Sequence, residues 1–165
     1  MQTNGAPFGS ASDDSHVAVA SETITVEYPI SEVFDFLVDG SHNALWRPNV
    51  VSVIFAAGPT ERAVWAQSIL DENGRIRKAD YRITWYDRPG RLELTVVNGP
   101  KRPNTLFALK SLGQRSTQVT CTVESKPLIY PFAATRFGAK DADAEAANIL
   151  NLPAAMASRA GTVET

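Results

Sequence analysis

The sequence is poor in cysteine, in long apolar runs and in net charge, and each of these features excludes a class of protein. The single cysteine, Cys121, rules out an internal disulfide framework and a cysteine-rich metal site. No apolar run approaches the roughly 20 residues that a membrane-spanning helix needs, and residues 1–16 lack the basic and apolar regions of a secretory signal. The formal net charge of −2 gives no general attraction to polyanions. We therefore expect a cytoplasmic, single-domain protein without a membrane span.

Motifs that carry chemistry are also scarce. No second histidine, cysteine or carboxylate stands at metal-ligand spacing around either of the two histidines, His16 and His42. The chain has no glycine-rich phosphate loop, and no serine, threonine or cysteine lies in a nucleophile-elbow pattern. Cys121 lies in a strand pattern among apolar neighbours, which is typical of an inert core thiol. We expect neither a metal nor a cofactor.

Charge is distributed unevenly along the chain. Residues 1–40 hold seven acids and no lysine or arginine, whereas residues 75–115 hold ten lysines and arginines and three acids. A basic surface for RNA would give such a pattern, but the bases lie largely in predicted turns and no nucleic-acid motif accompanies them. The pattern favours solvated faces of opposite sign, and we expect no nucleic-acid partner.

The spacing of apolar residues predicts strands and helices in a definite order. Alternation predicts a first strand within 17–28, followed by a short helix that starts at Pro29 and ends at Gly40. Strand patterns separated by turn signals then fill residues 50–124, with Asn73-Gly74 as the strongest hairpin signal. Strands at such short intervals, with no helices between them, predict an antiparallel meander.

The alanine-rich end of the chain predicts a long C-terminal helix. Ile149, Leu152 and Met156 fall at helical spacing, while Pro153 within the pattern should kink or break the helix. A sheet with one apolar face needs a cover, and this helix is the long element available. We predict an α+β fold, in which a strongly curved antiparallel sheet of about six or seven strands wraps around the C-terminal helix, with one or two short helices after the first strand.

Four stretches, taken in order, carry a family resemblance. They are the opening strand, helix and Trp-x-Pro corner in "ETITVEYPISEVFDFLVDGSHNALWRPNVVSV", the strand and turn in "YRITWYDRPGRLEL", the late hairpin in "LFALKSLGQRSTQVTCTVES" and the alanine- and leucine-rich end. Together they resemble the START-like superfamily, also called SRPBCC, whose fold is the helix grip, and within it the polyketide cyclase/dehydrase-like group. The resemblance implies one START-like domain at 16–161, followed by a short tail at 162–165. Residues 1–15 are polar with little apolar content, which predicts a disordered tail.

The resemblance implies a cavity between the sheet and the C-terminal helix, and it leaves two main functions open. In the first, the cavity binds a hydrophobic small molecule that is lipid-, polyketide- or isoprenoid-like. In the second, the protein is a polyketide cyclase, aromatase or dehydratase, which positions a reactive chain and assists it with acid/base groups. A regulatory or assembly role through protein contacts is a third. The chain is expected to act as a monomer or a homodimer.

Side chains alternate across a strand, so their parity predicts which residues face the cavity. In "ADYRITWY" the apolar parity places Tyr81, Ile83 and Trp85 inside, whereas Trp65 lies in a less regular strand and its side stays open. The candidate ligand-binding residues are Trp46, Trp65, Tyr81, Ile83, Trp85, Leu94, Phe107 and Ile149. The candidate catalytic residues are Tyr81, Arg82 and His42.

The polar candidates each have a plainer interpretation. Arg82 shares its parity with Asp80, so the two could pair on the outer face; a bulge would instead bury them as acid/base candidates. His42 is interpreted as a solvated residue at a helix end, although an acid/base role near a cavity mouth is the alternative. At the Trp-x-Pro corner, Trp46 is predicted to seal the core or line the cavity entrance, and Arg47 to face water.

Overall fold

The computed structural model describes residues 18–99, 101–125 and 139–161, so the predicted tails lie outside the described residues. The strands are β1 (Val19–Val26), β2 (Val50–Ala57), β3 (Val64–Leu70), β4 (Ile76–Lys78), β5 (Asp80–Asp87), β6 (Arg91–Asn98), β7 (Pro103–Gly113) and β8 (Ser116–Ser125). The helices are α1 (Ile30–Val38), α2 (Asn43–Trp46), α3 (Ala139–Ala147) and α4 (Leu152–Ala160), with short 3-10 turns at Gly40–His42, Thr60–Arg62 and Asn148–Asn151.

The strands form one antiparallel sheet in the order β1-β8-β7-β6-β5-β3-β2, with β4 paired to β3 outside this path. The predicted α+β architecture is therefore confirmed, and β1 and β2 are the two edges of the curved sheet. Within the described residues the sheet has eight strands, because the apolar strand pattern over residues 76–86 is divided at Ala79 into β4 and β5. The Ala79 backbone N–H donates to the Gln67 carbonyl at 2.8 Å, which holds the division against β3.

The helix α1 forms as the sequence predicts. Pro29 precedes its first turn, where a missing backbone N–H costs no helical hydrogen bond. Val33, Phe34 and Leu37 share its buried face, and burying each such side chain contributes about 1.5–3 kcal/mol. On the outer face, Asp35 accepts two hydrogen bonds from the Arg88 guanidinium, at 2.8 and 2.9 Å, which ties α1 to the β5–β6 turn.

The long C-terminal helical segment runs from α3 through the 3-10 turn at Asn148–Asn151 into α4. Ile149, Leu152 and Met156 are buried, as their spacing predicts. Pro153 lies in the first turn of α4, where its missing N–H leaves no helical carbonyl without a partner. The sequence predicts a kink or break at Pro153, and the structure has a 3-10 turn directly before α4 that separates it from α3.

The inner face of the sheet packs against α1 and the C-terminal segment. Tyr81 and Ile83 are buried there, as their parity predicts. The other apolar strand residues buried on this face are Leu92, Phe107, Leu109, Val119, Cys121 and Val123. Leu94 is partly buried and packs against this core. None of the helices in the described ranges is long and apolar enough to cross a membrane.

The prediction that Trp85 faces inward is wrong. Its side chain is 52% exposed, and the Arg91 guanidinium lies 5.1 Å from the centre of its ring. The cause is a bulge, because Ile83 pairs with Leu94 while Trp85 pairs with Glu93, so β5 advances by two residues where β6 advances by one. Alternation is reversed beyond the bulge, and Tyr86 takes the inward position, with its ring against that of Phe34.

Candidate functional site

The Trp-x-Pro corner at the end of α2 packs into the core. Trp46 is buried, as predicted for a residue that seals this end, and its ring meets the ring of Phe107 edge-on with 6.0 Å between centres. The Trp46 carbonyl accepts a hydrogen bond from Asn151 Nδ2 at 3.0 Å. The corner is therefore fastened to the C-terminal segment as well as to the sheet.

The prediction that Arg47 faces water is wrong. Its side chain is 14% exposed and forms an ion pair with Glu145 of α3, whose side chain is 16% exposed. A second guanidinium nitrogen lies 3.5 Å from Gln67 Oε1. The carboxylate that draws Arg47 inward lies 98 positions away in the chain, so no local pattern at the corner could reveal it.

A set of neutral polar groups lies beside this ion pair. Asn43 Nδ2 donates to Gln67 Oε1 and to the Tyr81 hydroxyl oxygen, each at 3.1 Å. Asn43, Gln67 and Tyr81 are all buried. We call Asn43, Arg47, Gln67, Tyr81 and Glu145 the interior polar cluster; it joins α2, β3, β5 and α3.

Tyr81 contributes the neutral hydroxyl group of this cluster. Burial raises the pKa of Tyr81 above its ordinary value, against the smaller opposing effects of the Asn43 hydrogen bond and the positive charge of Arg47. The phenol therefore stays neutral at physiological pH. Its oxygen accepts from Asn43, and a phenol can also donate its own proton to a carbonyl or hydroxyl oxygen.

Gly40 makes the close packing around Tyr81 feasible. A Cβ atom at this position would lie 2.3 Å from the Tyr81 hydroxyl oxygen and 2.5 Å from Cδ2 of Trp65. Trp65 pairs with Tyr81 across β3 and β5, which places Trp65 on the inner face of the sheet. The sequence assigned Gly40 only to the end of a helix, because nothing local indicates which side chains approach it.

Several buried polar atoms in this region have no partner among the described residues. They are Nε1 of Trp46, Nε1 of Trp65, Nε of Arg47 and Oδ1 of Asn49. Each buried group left unsatisfied costs about 1–3 kcal/mol. Three of the four are N–H donors, so the region is richer in unmet donors than in unmet acceptors.

Two of the candidate catalytic residues lie away from the interior polar cluster. Arg82 is exposed on the outer face of β5. Its predicted outer-face partner Asp80 instead accepts hydrogen bonds from the Gln67 backbone N–H at 3.1 Å and from Asn98 Nδ2 at 2.9 Å. Tyr81 is thus the one candidate of the three that belongs to the cluster.

The interpretation of His42 as a solvated residue is wrong, because its side chain is buried. Its ring stacks on Phe36, with 4.4 Å between centres, and Nδ1 donates to the Phe36 carbonyl at 2.9 Å. Nε2 lies 3.5 Å from the Asp39 carboxylate. The buried ring is thus held at the end of α1 by stacking and by its Nδ1 hydrogen bond, which fits a structural role.

Cys121 has the environment of an unreactive thiol. Burial, together with the negative charge of Glu145, raises the pKa of Cys121 to about 12. Among the described residues, no group of three or more histidine, cysteine and carboxylate side chains is arranged to hold a metal ion.

A separate groove of about 530 Å³ lies on the surface between α2 and α4. Its walls are mostly small or apolar, and they include Leu45, Pro48 and Ala154, with Asn151 and Ser158 as polar members. Because its walls include exposed residues of both helices, this groove differs from the predicted cavity between the sheet and the C-terminal segment.

The model of a family described as polyketide cyclase / dehydrase and lipid transport matches residues 17–150. No curated protein sequence matches the chain. Among solved structures, the Zhui aromatase/cyclase from Streptomyces sp. R1128 is similar at a TM-score of 0.66 and 18% identity, over 88% of this chain and 94% of that one.

Two further solved structures have the same fold. A START superfamily protein from Mycobacterium smegmatis matches at a TM-score of 0.66 and 13% identity, over 88% of this chain and 98% of that one. The protein TTHA0849 from Thermus thermophilus matches at a TM-score of 0.67 and 14% identity, over 89% of this chain and 99% of that one. The family model confirms the expected resemblance to the polyketide cyclase/dehydrase-like group, and the solved structures share the predicted fold.

Proposed function

Because this chain belongs to the polyketide cyclase/dehydrase and lipid transport family, we propose that it binds an uncharged hydrophobic molecule that carries a carbonyl or hydroxyl oxygen. The molecule lies between the curved sheet and the C-terminal segment, and its oxygen accepts a hydrogen bond from Tyr81. The observation that carries this proposal is the interior polar cluster, whose neighbours along the chain, among them Trp46, Ile83 and Ala146, belong to the apolar core. Lipid-, polyketide- and isoprenoid-like compounds with such an oxygen all fit the description.

The charges of the cluster support an uncharged ligand. Arg47 is already paired with Glu145, so the interior polar cluster holds one positive and one negative group in contact. A carboxylate ligand would bring a further charge without a partner, and an unpaired buried charge costs several kcal/mol. A ketone or an alcohol brings no such cost.

The unmet donors support a ligand oxygen rather than a ligand donor. Tyr81 has a proton to donate, and the indole N–H groups of Trp46 and Trp65 have no acceptor among the described residues. A ligand rich in carbonyl oxygens would satisfy such groups when it enters and displaces the side chains around them. Apolar neighbours such as Ile83 and Phe107 then supply the burial that holds the hydrocarbon part.

A displacement assay with four compounds of similar chain length tests the proposal. The neutral dye Nile red is bound first, and methyl decyl ketone, lauryl alcohol, lauric acid in its ionised form and dodecane are compared as competitors. We expect the ketone and the alcohol to compete best and the carboxylate to compete worst. Tyr81→Phe should weaken the ketone about fivefold, the value of one hydrogen bond of about 1 kcal/mol, and leave dodecane unchanged.

Trp85→Ala is the matched control, since it removes a large aromatic side chain from the same strand but from its outer face. Its affinities should equal those of the parent protein. Equal competition by the carboxylate and the ketone would contradict the proposal, and so would an equal loss of ketone and dodecane affinity in Tyr81→Phe.

A second function, a cyclase or dehydratase acting on a poly-β-ketone, is favoured by one specific observation. The interior polar cluster contains a neutral phenol, a carboxylate and a guanidinium, and these are the kinds of group that assist enolisation and loss of water. Tyr81 would donate a hydrogen bond to the carbonyl oxygen, and Glu145 would accept the proton from the neighbouring carbon. The poly-β-ketone folds within the protein interior, so the positioning of its reacting carbons supplies much of the rate enhancement.

Product analysis separates this function from binding alone. A poly-β-ketone released by a minimal polyketide synthase is incubated with and without the protein, and the aromatic products are compared by mass spectrometry and chromatography. A catalyst changes the product ratio, and Glu145→Gln abolishes the change while Trp85→Ala keeps it. A product ratio that is the same with and without the protein would contradict the enzymatic function.

A further inference from the structure

The edge strand β2 has an unusual composition for its position. No charged residue lies between Arg47 and Glu61, a stretch that contains the whole of β2. Ile54 is 67% exposed, Phe55 53% and Val51 46%. In the described ranges, β2 pairs with β3 alone, so its outer edge presents backbone N–H and C=O groups to solvent.

The other edge of the sheet is protected in the ways that proteins ordinarily use. Edge strands are commonly guarded by charged side chains, prolines or covering helices, because an open edge is a template for a further strand. β1 carries Glu22 near its centre, and α3 packs against this strand. β2 has no charge and no proline along its length. Of the usual safeguards, the described residues show on β2 only two register shifts of the bulge type in its pairing with β3.

We propose that β2 pairs antiparallel with β2 of a second copy of this chain, around a two-fold axis at Ile54. A strand is the fitting occupant because the open edge offers hydrogen-bonding groups, which the hydrocarbon of a membrane could not satisfy. When the two strands pair antiparallel about an axis perpendicular to the sheet, each face of the sheet continues from one copy into the other. Ile54 on the outer face therefore lies beside Ile54 of the second copy.

The charge pattern favours a copy of this chain over an unrelated strand. A two-fold axis places each residue near its own equivalent, so any charge close to the axis would repel itself. β2 satisfies this requirement over its full length, since the nearest charged residues in sequence are Arg47 and Glu61. Under antiparallel pairing centred at Ile54, the Arg47 end of one strand lies toward the Glu61 end of the other, so opposite charges are nearest.

The expected size of the contact predicts a weak dimer. A strand of eight residues is about 27 Å long at roughly 3.4 Å per residue. A contact of that length and about 10 Å in width buries about 300 Å² on each copy, against about 800 Å² in a stable complex. The dimer should therefore form in the micromolar range and depend on protein concentration.

Sedimentation equilibrium on the full chain, from about 2 to about 300 µM, tests the proposal. The parent protein should pass from monomer to dimer over this range. Ile54→Lys and Ile54→Glu should each weaken association at least about tenfold, because like charges then meet at the axis. An equimolar mixture of the two variants should associate again, since opposite charges now meet there.

Leu112→Lys is the matched control, because Leu112 is also about half exposed but lies at the far end of β7. It should associate like the parent, and circular dichroism should give the parent's folded spectrum for all variants. A parent that stays monomeric at the highest concentration would overturn the proposal. So would association of Ile54→Lys at parental strength, a mixture that stays monomeric, or a monomeric parent that binds neutral phosphatidylcholine vesicles through Ile54.

Discussion

Replacing Arg47 by methionine should destabilise the protein far more than the loss of an ordinary surface arginine. Arg47 and Glu145 join the Trp-x-Pro corner to α3, and both side chains are more than four-fifths buried. Methionine keeps much of the hydrocarbon length of arginine but removes its charge. Glu145 would then remain in the interior as a carboxylate without its cation, close to the buried Cys121.

The expected magnitude follows from burial. Removing one member of a buried ion pair costs about 3–5 kcal/mol, whereas exposed pairs contribute about 0–1 kcal/mol. Because about one seventh of each side chain still reaches solvent, we place Arg47→Met at the lower end, at about 3 kcal/mol, and expect a similar loss for Glu145→Leu. The double variant leaves no unpaired charge, so its stability should return to within about 1 kcal/mol of the parent.

Urea unfolding of the four proteins at neutral pH, followed by circular dichroism, measures the free energies of this cycle. Strong coupling between the two substitutions is the expected result, because each single variant leaves one buried charge without its partner and the double variant leaves none. If both single variants cost less than about 1 kcal/mol and their effects simply add, the pair behaves as a solvent-exposed one and the reasoning from burial is refuted.

Two further predictions concern the packing around Tyr81 and the buried thiol. Gly40→Ala should lower the free energy of unfolding in urea by about 1–3 kcal/mol and shift the tryptophan fluorescence, because its Cβ would overlap Tyr81 and Trp65. Gly113→Ala is the control and should leave stability unchanged, because its Cβ meets no atom within 4 Å. Equal effects of the two substitutions would contradict the close packing assigned to Gly40. The pKa of Cys121 rises from an ordinary 9.0 to about 12 on folding, so its contribution to stability is complete below pH 9 and is lost as the pH rises, by about 1.4 kcal/mol per unit. The free energy of unfolding is therefore measured at pH 8 and at about pH 10.5 for both proteins. The decrease between these pH values should be about 2 kcal/mol smaller in Cys121→Val than in the parent, and identical decreases would exclude the thiol as the cause.

The prediction of which β5 residues face inward was right for two residues and wrong for a third, for a reason that concerns strand geometry. Parity within β5 placed Tyr81 and Ile83 inside, and the structure agrees because that part of the strand is regular. The same rule failed for Trp85, two positions later, because an irregularity in pairing with β6 reverses alternation. A bulge arises from how two strands fit together, so the sequence of one strand does not reveal it.

The sequence by itself determined the order of the elements, the antiparallel class of the sheet, the apolar face of α1 and the long C-terminal segment. These features follow from local periodicity, since each helix or strand must bury one face, and that requirement repeats along the chain. Only the tertiary structure decided which polar groups meet. Asn43 and Tyr81 are 38 positions apart and Arg47 and Glu145 are 98 apart, so their contacts depend on how the corner, the sheet and α3 pack against one another. Polar partners of this kind leave no periodic trace, because the energy that selects them arises only when distant segments together exclude water.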